Sequence, residues 1–214
     1  MDKEQVKQAL EELKKLPKRK FSQSYDLIIN LKNIELKTTP IDFFATLPSP
    51  RGMKLKIAAF VDQELVEQAN KFCDLTVKEN EFSRYTADKK LAKRLAQEYD
   101  YFIAQANLMP KIAAAFGRFL GTRGKMPNPK AGCIVPPNGN LELLVKRLNQ
   151  TVHMSAKKAL NLQCLVGKEG QPEEEIIANV LAAYQAAAKQ MPQDENQNIK
   201  NVCLKLTMSK PVKI

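Results

Sequence analysis

The stretch "GRFLGTRGKMPNPKAG", residues 117–132, has the composition of a loop that holds phosphate. Its glycines let the backbone approach an anion closely, and after Gly121 it carries the cations Arg123, Lys125 and Lys130. Two kinds of chemistry would use such a loop. It could bind a nucleotide for a reaction, or it could contact the phosphates of a nucleic acid.

The spacing of the loop does not fit either common nucleotide motif. A phosphate-binding NTPase loop needs Gly, four residues, and then Gly-Lys followed by Ser or Thr. Here Phe119 stands five positions before Gly124, and Lys125 is not followed by a hydroxyl residue. The dinucleotide motif fails as well, because Gly117, Gly121 and Gly124 are spaced by four and three residues rather than two and three. The pattern instead predicts a helix C-cap at Gly121 followed by a stiff, exposed basic loop.

Composition indicates the kind of anion. The chain has 34 Lys and Arg against 23 Asp and Glu, a net charge of +11, which favours a polyanionic partner. The longest uncharged run, 176–188, is short for a membrane span and contains polar residues. The opening "MDKEQVKQAL" lacks the pattern of a signal peptide. We therefore expect a cytoplasmic protein that binds nucleic acid and no membrane.

The residues that usually make metal and catalytic sites are sparse. There is no C-x-x-C pair, and His153 is the only histidine. His153 lies in an extended-looking segment, "QTVHMSAKKA", with no acidic neighbour to orient it as a base. We predict no catalytic residue, no metal, no cofactor and no disulfide. Buried or half-buried thiols are expected at Cys73, Cys133, Cys164 and Cys203.

The two ends of the chain have one kind of pattern. Residues 2–16 are predicted as a surface helix that ends at Pro17. A basic "KRK" then leads into "FSQSYDLIINLK", whose apolar alternation from Phe21 onward predicts a strand with one buried face. "DFFATL" is a further strand, and "PSPRG" is a turn-rich break. Near the C-terminus we predict strands in "TVHMSA", "LNLQCLVG" and "NIKNVCLKLTM", and a helix over 172–189.

The middle of the chain alternates strand and helix. Short apolar strands are predicted in "KIAAFV", "DLTVK" and "YFIAQA". The helices predicted here cover 63–72, 87–98, 108–120 and 141–149. This alternation favours an α/β unit with a largely parallel sheet. The economical architecture is one discontinuous α+β domain made from both ends, into which the α/β domain is inserted, with crossings near 48–52 and 150–152.

Three segments, "KFSQSYDL", "LGTRGKMPNPKAG" and "LKLTMSKPVK", together resemble the large-subunit ribosomal protein L-one family, in its archaeal and eukaryotic branch. "LVGKEG" and "YFIAQANLMP" extend the resemblance over nearly the whole chain. The resemblance implies an α+β fold with an inserted α/β domain. A split two-layer sandwich with an RRM-like sheet, residues 1–52 and 152–214, would carry a three-layer Rossmann-like domain, residues 53–151.

The resemblance also implies a function. The split domain would grip large-subunit rRNA at the mobile stalk of the large ribosomal subunit. The protein would help to release deacylated tRNA from the exit site, and in many members it represses translation by binding its own mRNA. A free chain would be a monomer.

Matching the family's motifs places the RNA surface on eleven positions of the split domain. These are Lys20, Phe21, Gln23, Ser24, Asp26, Gly167, Lys168, Thr207, Met208, Ser209 and Lys210. At Ser209 this sequence departs from the family's Thr-Met-Gly. A glycine at this position would permit close approach of RNA or a positive φ, which serine disfavours. Arg123, Lys125 and Lys130 would form a secondary basic loop.

The residues by themselves leave other interpretations open. Phe21 and Met208 are typical of core residues, and Lys18 to Lys20 of a solvated connection. Asp26 would repel phosphate unless it accepts a hydrogen bond from a 2′-hydroxyl or orients a base. At the level of function, two alternatives are a non-ribosomal RNA-binding or RNA-processing factor of similar build, and an enzyme that uses a nucleotide on the inserted domain.

Overall fold

A computed structural model describes residues 1–192 and 195–214 of the chain. The helices are α1 (Lys3–Lys14), α2 (Val66–Phe72), α3 (Phe82–Ala87), α4 (Lys89–Glu98), α5 (Met109–Gly121), α6 (Leu141–Gln150), α7 (Glu173–Lys189) and α8 (Glu195–Asn198). The strands are β1 (Ser24–Leu31), β2 (Ile41–Thr46), β3 (Ile57–Val61), β4 (Leu75–Lys78), β5 (Tyr101–Gln105), β6 (Ile134–Val135), β7 (Thr151–Ala156), β8 (Asn161–Lys168), β9 (Ile199–Leu206) and β10 (Val212–Lys213).

The chain separates into two compact units. The first contains residues 1–53 and 150–214, and the second contains residues 54–149. The fold is thus mixed α/β, with antiparallel strands in the first unit and parallel strands in the second. The likeness to RRM and Rossmann sheets stays a prediction.

The first unit is built around an antiparallel sheet in the order β10-β9-β1-β8. Along β1, every second residue from Tyr25 to Leu31 is buried, so one face of the strand meets the core. Helices α1 and α7 pack against each other and against this sheet, and α1 buries Val6, Leu10 and Leu13. The alternation predicted for this strand is confirmed from Tyr25 onward, but Phe21 lies before β1 and is 51% exposed.

A two-stranded antiparallel ribbon, β2 with β7, belongs to the same unit. Its register sets Phe44 opposite His153, and the two rings stack with centroids 4.5 Å apart. The expectation that His153 has no acidic partner is wrong, because Asp42 accepts a hydrogen bond from His153 at 2.5 Å. Asp42 is 111 residues away in sequence, so no local pattern could reveal it. Burial of Asp42 raises its pKa, but hydrogen bonds from Lys157 and His153 outweigh burial and lower the pKa overall.

The second unit has a parallel sheet in the order β4-β3-β5-β6. Every residue of β3 is buried, as expected for a strand covered on both faces. Phe60 on β3 stacks with Phe102 on β5 and makes an edge contact with Phe82. The predicted helix over 87–98 is wrong at its start, because the Asp88 side chain caps α4 and a separate short helix, α3, precedes it.

Candidate nucleic-acid interface

The matched segments "KFSQSYDL", "LVGKEG" and "LKLTMSKPVK" meet at one end of the four-stranded sheet, whereas "LGTRGKMPNPKAG" lies in the second unit. β1 begins there, between the ends of β8 and β9. Ser24 pairs with Lys168, and Tyr25 pairs with Gly167 on one side and Leu206 on the other. The antiparallel register therefore brings the start of β1 next to the ends of β8 and β9, which lie about 140 to 180 residues further along the chain.

Gln23 holds this end of the sheet together. Its side chain is only 3% exposed, although the sequence suggested a polar surface residue. The Gln23 backbone N–H donates to Glu169 Oε2 at 2.7 Å, and the side-chain amide donates to Glu169 Oε1 at 3.3 Å. Gln23 Oε1 in turn accepts from the backbone N–H of Met208 at 3.1 Å. Gln23 thus links the start of β1 to the turns that follow β8 and β9.

A second set of bonds closes the same junction. The backbone N–H of Ser24 donates to Thr207 Oγ1 at 3.0 Å, and the backbone N–H of Thr207 donates to the Ser24 carbonyl at 3.1 Å. The Thr207 side chain is nevertheless exposed, so its hydroxyl combines a structural bond with access to solvent. The backbone bonds of Ser24 and Thr207 extend the pairing of β1 and β9 by one step.

Ser209 occupies the turn without a positive φ. Among non-glycine residues of the described chain, only Asn33 has a positive φ. The Ser209 hydroxyl accepts from the backbone N–H of Leu206 at 2.8 Å and donates to the carbonyl oxygen of Lys210 at 2.9 Å. Serine therefore stabilises this turn by a hydrogen bond, where the family's usual glycine would offer only conformational freedom.

Asp26 is a half-buried acid on the outward face of β1, opposite Lys205 on β9. Burial raises the pKa of Asp26, and the charge of Lys205 lowers it by less. The fold therefore stabilises the carboxylate poorly.

The exposed residues among the eleven predicted RNA-binding positions lie around this end of the sheet. Phe21 is 51% exposed and Met208 is 61% exposed, so the interpretation of both as core residues is wrong. Lys20 and Lys210 are also exposed, and neither forms an ion pair with a carboxylate whose side chain is described. Large apolar side chains beside unneutralised cations are typical of surfaces that bind RNA.

Gly167 and Lys168 form the last two residues of β8. Gly167 is buried, and a Cβ there would lie 2.9 Å from Cγ1 of Ile176, so α7 packs closely on this glycine. The backbone N–H of Lys168 donates to Gln171 Oε1 at 2.7 Å. Gln171 also donates from Nε2 to the Pro50 carbonyl, which fixes the first crossing segment to the turn after β8.

The glycine-rich loop of residues 117–132 lies in the second unit. α5 ends at Gly121, but the left-handed glycines are Gly124 and Gly132, so the predicted C-cap at Gly121 is wrong. The Lys125 ammonium is held against the protein, because it donates a hydrogen bond to the Tyr99 carbonyl at 2.6 Å. Arg123 and Lys130 are exposed.

The second unit is poorly suited to a nucleotide. The carboxyl ends of its parallel strands, where such sheets usually bind ligands, lead into Asp62 after β3 and Glu79 after β4. The β5 end carries Gln105, which is fully buried and bonded to the backbone of Asp62. The Asp62 carboxylate at this edge repels phosphate, and the Glu79 carboxylate already forms an ion pair with Lys111.

The comparisons with known proteins agree with the resemblance. The sequence profile of the Ribosomal protein L1p/L10e family matches residues 13–210. The large ribosomal subunit protein uL1 of Nanoarchaeum equitans is 41% identical over 99% of this chain and 98% of its own length. The uL1 proteins of Methanothermococcus thermolithotrophicus and Methanocaldococcus jannaschii are each 36% identical over 100% of this chain, and over 99% and 96% of their own lengths.

The chain belongs to the Ribosomal protein L1p/L10e family. Members of this family are structural proteins, so the chain is not an enzyme, and its similarity is to the archaeal branch. Within residues 1–192 and 195–214, no helix is long and apolar enough to cross a membrane.

The structure adds two residues to the candidate interface, Glu169 and Arg19. Glu169 follows the "VGK" segment directly, and its carboxylate accepts hydrogen bonds from both the backbone N–H and the side-chain amide of Gln23. Arg19 precedes the matched motif and lines two concavities of this surface. The position of Glu169 directly after the matched Gly167 and Lys168 is the sequence signal that could have identified it.

Proposed function

We propose that this chain is a structural constituent of the large ribosomal subunit that binds large-subunit rRNA at the mobile stalk. The observation that carries the proposal is the convergence of three distant, family-matched segments at one end of the first unit's sheet. On a ribosome the protein would act in the cytoplasm.

The geometry suits recognition of a structured RNA by shape. Proteins read A-form RNA through phosphates, 2′-hydroxyls and unstacked bases rather than through a deep groove. The side chains of Gln23, Thr207 and Ser209 accept hydrogen bonds from backbone N–H groups and so hold the turns in place in the free protein. A preorganised surface loses less conformational entropy on binding. Lys20 and Lys210 then supply charge, while Phe21 and Met208 supply apolar contact.

The test is binding of the whole chain to an rRNA fragment of the stalk, measured beside a plain RNA duplex of equal length over several salt concentrations. The stalk fragment should bind more tightly at every salt concentration. Lys210→Ala should lower the slope of log affinity against log salt by roughly one if this lysine neutralises one phosphate. Lys15→Ala, an exposed cation outside the surface, is the matched control and should leave the slope unchanged. Equal affinity for fragment and duplex would show that the surface does not recognise the stalk.

Two finer activities belong to the same proposal. A protein at the stalk would assist release of deacylated tRNA from the exit site. The same RNA surface would bind a structural mimic of the rRNA site on the protein's own mRNA and so repress translation. A leader fragment of that mRNA should compete with the stalk fragment for one site, and Lys210→Ala should weaken both.

A processing factor of similar build would bind RNA without staying on ribosomes. Co-sedimentation with large subunits through a high-salt wash separates these functions. Loss of the protein from washed subunits would favour the processing factor.

A further inference from the structure

A recess of about 520 Å³ lies between the C-terminal end of α1 and the turn that joins β9 to β10. Gln23 and Met208 of the candidate interface form part of its wall, so the recess continues that surface. Its apolar lining includes Leu16, which is 41% exposed, and Met208, which is 61% exposed. Side chains of this size left accessible in a concave site indicate a ligand with an apolar face.

The polar groups of the recess have a defined character. Arg19 and Lys210 are exposed cations that form no ion pair with any carboxylate whose side chain is described. Glu12, on α1, adds one exposed carboxylate, and no described lysine or arginine pairs with it. The recess therefore offers an apolar wall, two cations for an anion, and one acceptor-only group.

We propose that this recess binds one unstacked nucleotide of the RNA that occupies the candidate interface, and that it prefers guanine. The proposal rests on the proposed function. The volume lies within the roughly 300 to 1,000 Å³ of typical small-ligand sites. Leu16 and Met208 pack against the base, and Arg19 and Lys210 neutralise the flanking phosphates.

The preference for guanine follows from Glu12. An ionised carboxylate only accepts hydrogen bonds, through two adjacent oxygens. Guanine presents two adjacent donors on its Watson–Crick edge, N1–H and the 2-amino group. Adenine and cytosine present one amino group beside a ring acceptor, which the carboxylate repels, and uracil presents one N–H between two carbonyls. The base that matches a carboxylate with both oxygens is therefore guanine.

An RNA ligand fits this recess better than an apolar peptide does. Two cations without partners would remain uncompensated beneath an apolar peptide, whereas a nucleotide carries both a flat apolar base and a phosphate. The net charge of +11 also favours the polyanion.

The experiment uses the whole chain and the stalk fragment of large-subunit rRNA, with Glu12→Gln and the matched control Glu11→Gln. Both glutamates are exposed neighbours on α1, but only Glu12 lines the recess. Removing a negative charge should by itself strengthen RNA binding slightly, as expected for Glu11→Gln. Glu12→Gln should instead weaken binding by about tenfold, the size of one hydrogen bond to a charged group.

Substitution of the RNA locates the contact. Each unpaired guanine of the fragment is replaced in turn by inosine, which lacks the 2-amino group. One replacement should weaken binding to the parent protein by about tenfold and should change binding to Glu12→Gln by less than about twofold, because the two changes remove the same hydrogen bond.

The possible failures are distinguishable. If the parent protein binds the fragment no better than a plain duplex, the proposed function fails and the recess proposal fails with it. If the parent binds specifically but Glu12→Gln behaves like Glu11→Gln, only the recess proposal is overturned. Thermal melting checks that each variant folds. If Glu12→Gln does not fold, the inosine series on the parent decides, and the absence of any sensitive guanine overturns the proposal.

Discussion

At the scale of single residues, the Asp26 carboxylate is expected to have opposite effects on stability and on RNA binding. Because burial is the main cause of its raised pKa, the folded state stabilises the ionised carboxylate less well than water does. A raised folded pKa favours the fold at low pH, and this contribution is lost as the pH rises through the folded value. Asp26 therefore costs stability at neutral pH.

We predict that Asp26→Asn raises the melting temperature at pH 7, since it removes the charge that burial disfavours. The gain should shrink as the pH falls and should vanish below about 3.9, where the unfolded carboxyl is also protonated. Thermal melting of both proteins from pH 3.5 to 7.5 measures the effect. A lower melting temperature at pH 7 would mean that the pair with Lys205 outweighs burial. If Asp26 accepts from a 2′-hydroxyl, the stabilised variant should also bind the stalk fragment more weakly.

Thr207 differs from Asp26 because its hydroxyl already has a partner in the protein. Thr207→Val should lose the bond to the Ser24 backbone N–H and lower the free energy of unfolding by about 1 kcal/mol, while Thr207→Ser should keep most of it. Chemical denaturation followed by circular dichroism provides the measurement. If Thr207→Val weakens RNA binding without any loss of stability, the Ser24 bond contributes little and the hydroxyl is held for RNA.

Sequence motifs identified which residues of the candidate site share a surface, but not the part each one has. Motifs give residue types, whereas burial and hydrogen-bond partners depend on contacts between distant segments. The motif therefore predicted a surface donor at Gln23, but Gln23 is buried and links β1 to the turn after β9. Phe21 and Met208 were typical of core residues by type, but both are exposed. The Asp42–His153 contact could not be predicted either, because it depends on the register between β2 and β7, which neither segment determines alone.

At the scale of elements, long periodic segments were predictable and short ones were not. β1 and β9 alternate over eight residues each, so their buried faces follow from the pattern. β6 and β10 have two residues each, and α3 has six, which is too few for any period to appear. Their existence depends on neighbouring strands and helices that the sequence does not place.

Two glycines of the first unit differ in how closely their surroundings are packed, and substituting each shows how tightly the Pro50 to Gly52 crossing is held. Gly52 has a φ of +77°, and an added Cβ would lie 2.6 Å from Cβ of Lys168. Gly170 has a φ of +98° with no atom near an added Cβ. Gly170→Ala should lower the free energy of unfolding by about 1 to 2 kcal/mol through the left-handed backbone alone. Gly52→Ala should cost a further 1 to 3 kcal/mol, roughly, from overpacking.

Chemical denaturation of both glycine variants gives the comparison directly. Both residues lie in the first unit, so one unfolding transition reports on both. Equal losses for the two variants would mean that the Pro50 to Gly52 segment moves away from Lys168 at little cost. The anchoring of the first crossing by Gln171 would then be weak.

At the scale of the whole molecule, every residue of the candidate interface and both concavities beside it lie in the first unit. The second unit contributes the exposed cations Arg123 and Lys130, which can act as point charges without reading sequence. Replacing both by alanine should leave affinity for the isolated stalk fragment within about twofold, because phosphate contacts outside the fragment are not sampled. A collapse of fragment binding would place this loop within the main interface.

We expect the first unit to fold without the second. Its central strand β1 lies between β8 and β9, which both come from the C-terminal part of the chain, so residues 1–53 alone would expose two unpaired strand edges. A polypeptide that joins residues 1–53 to 150–214 through a short Gly-Ser linker should unfold cooperatively. The linker needs little length, because just beyond the two joined ends the Leu55 N–H donates to Asn149 Oδ1 at 3.3 Å.

This joined polypeptide should bind the stalk fragment within about threefold of the whole chain, since a change that small is less than the loss of one hydrogen bond. Residues 54–149 alone should fold around their phenylalanine cluster but bind the fragment no better than a plain duplex. Residues 1–53 alone should not fold, which circular dichroism would show. Equal affinity of residues 54–149 and the joined polypeptide for the fragment would place the principal RNA surface on the second unit, against the convergence at the end of β1.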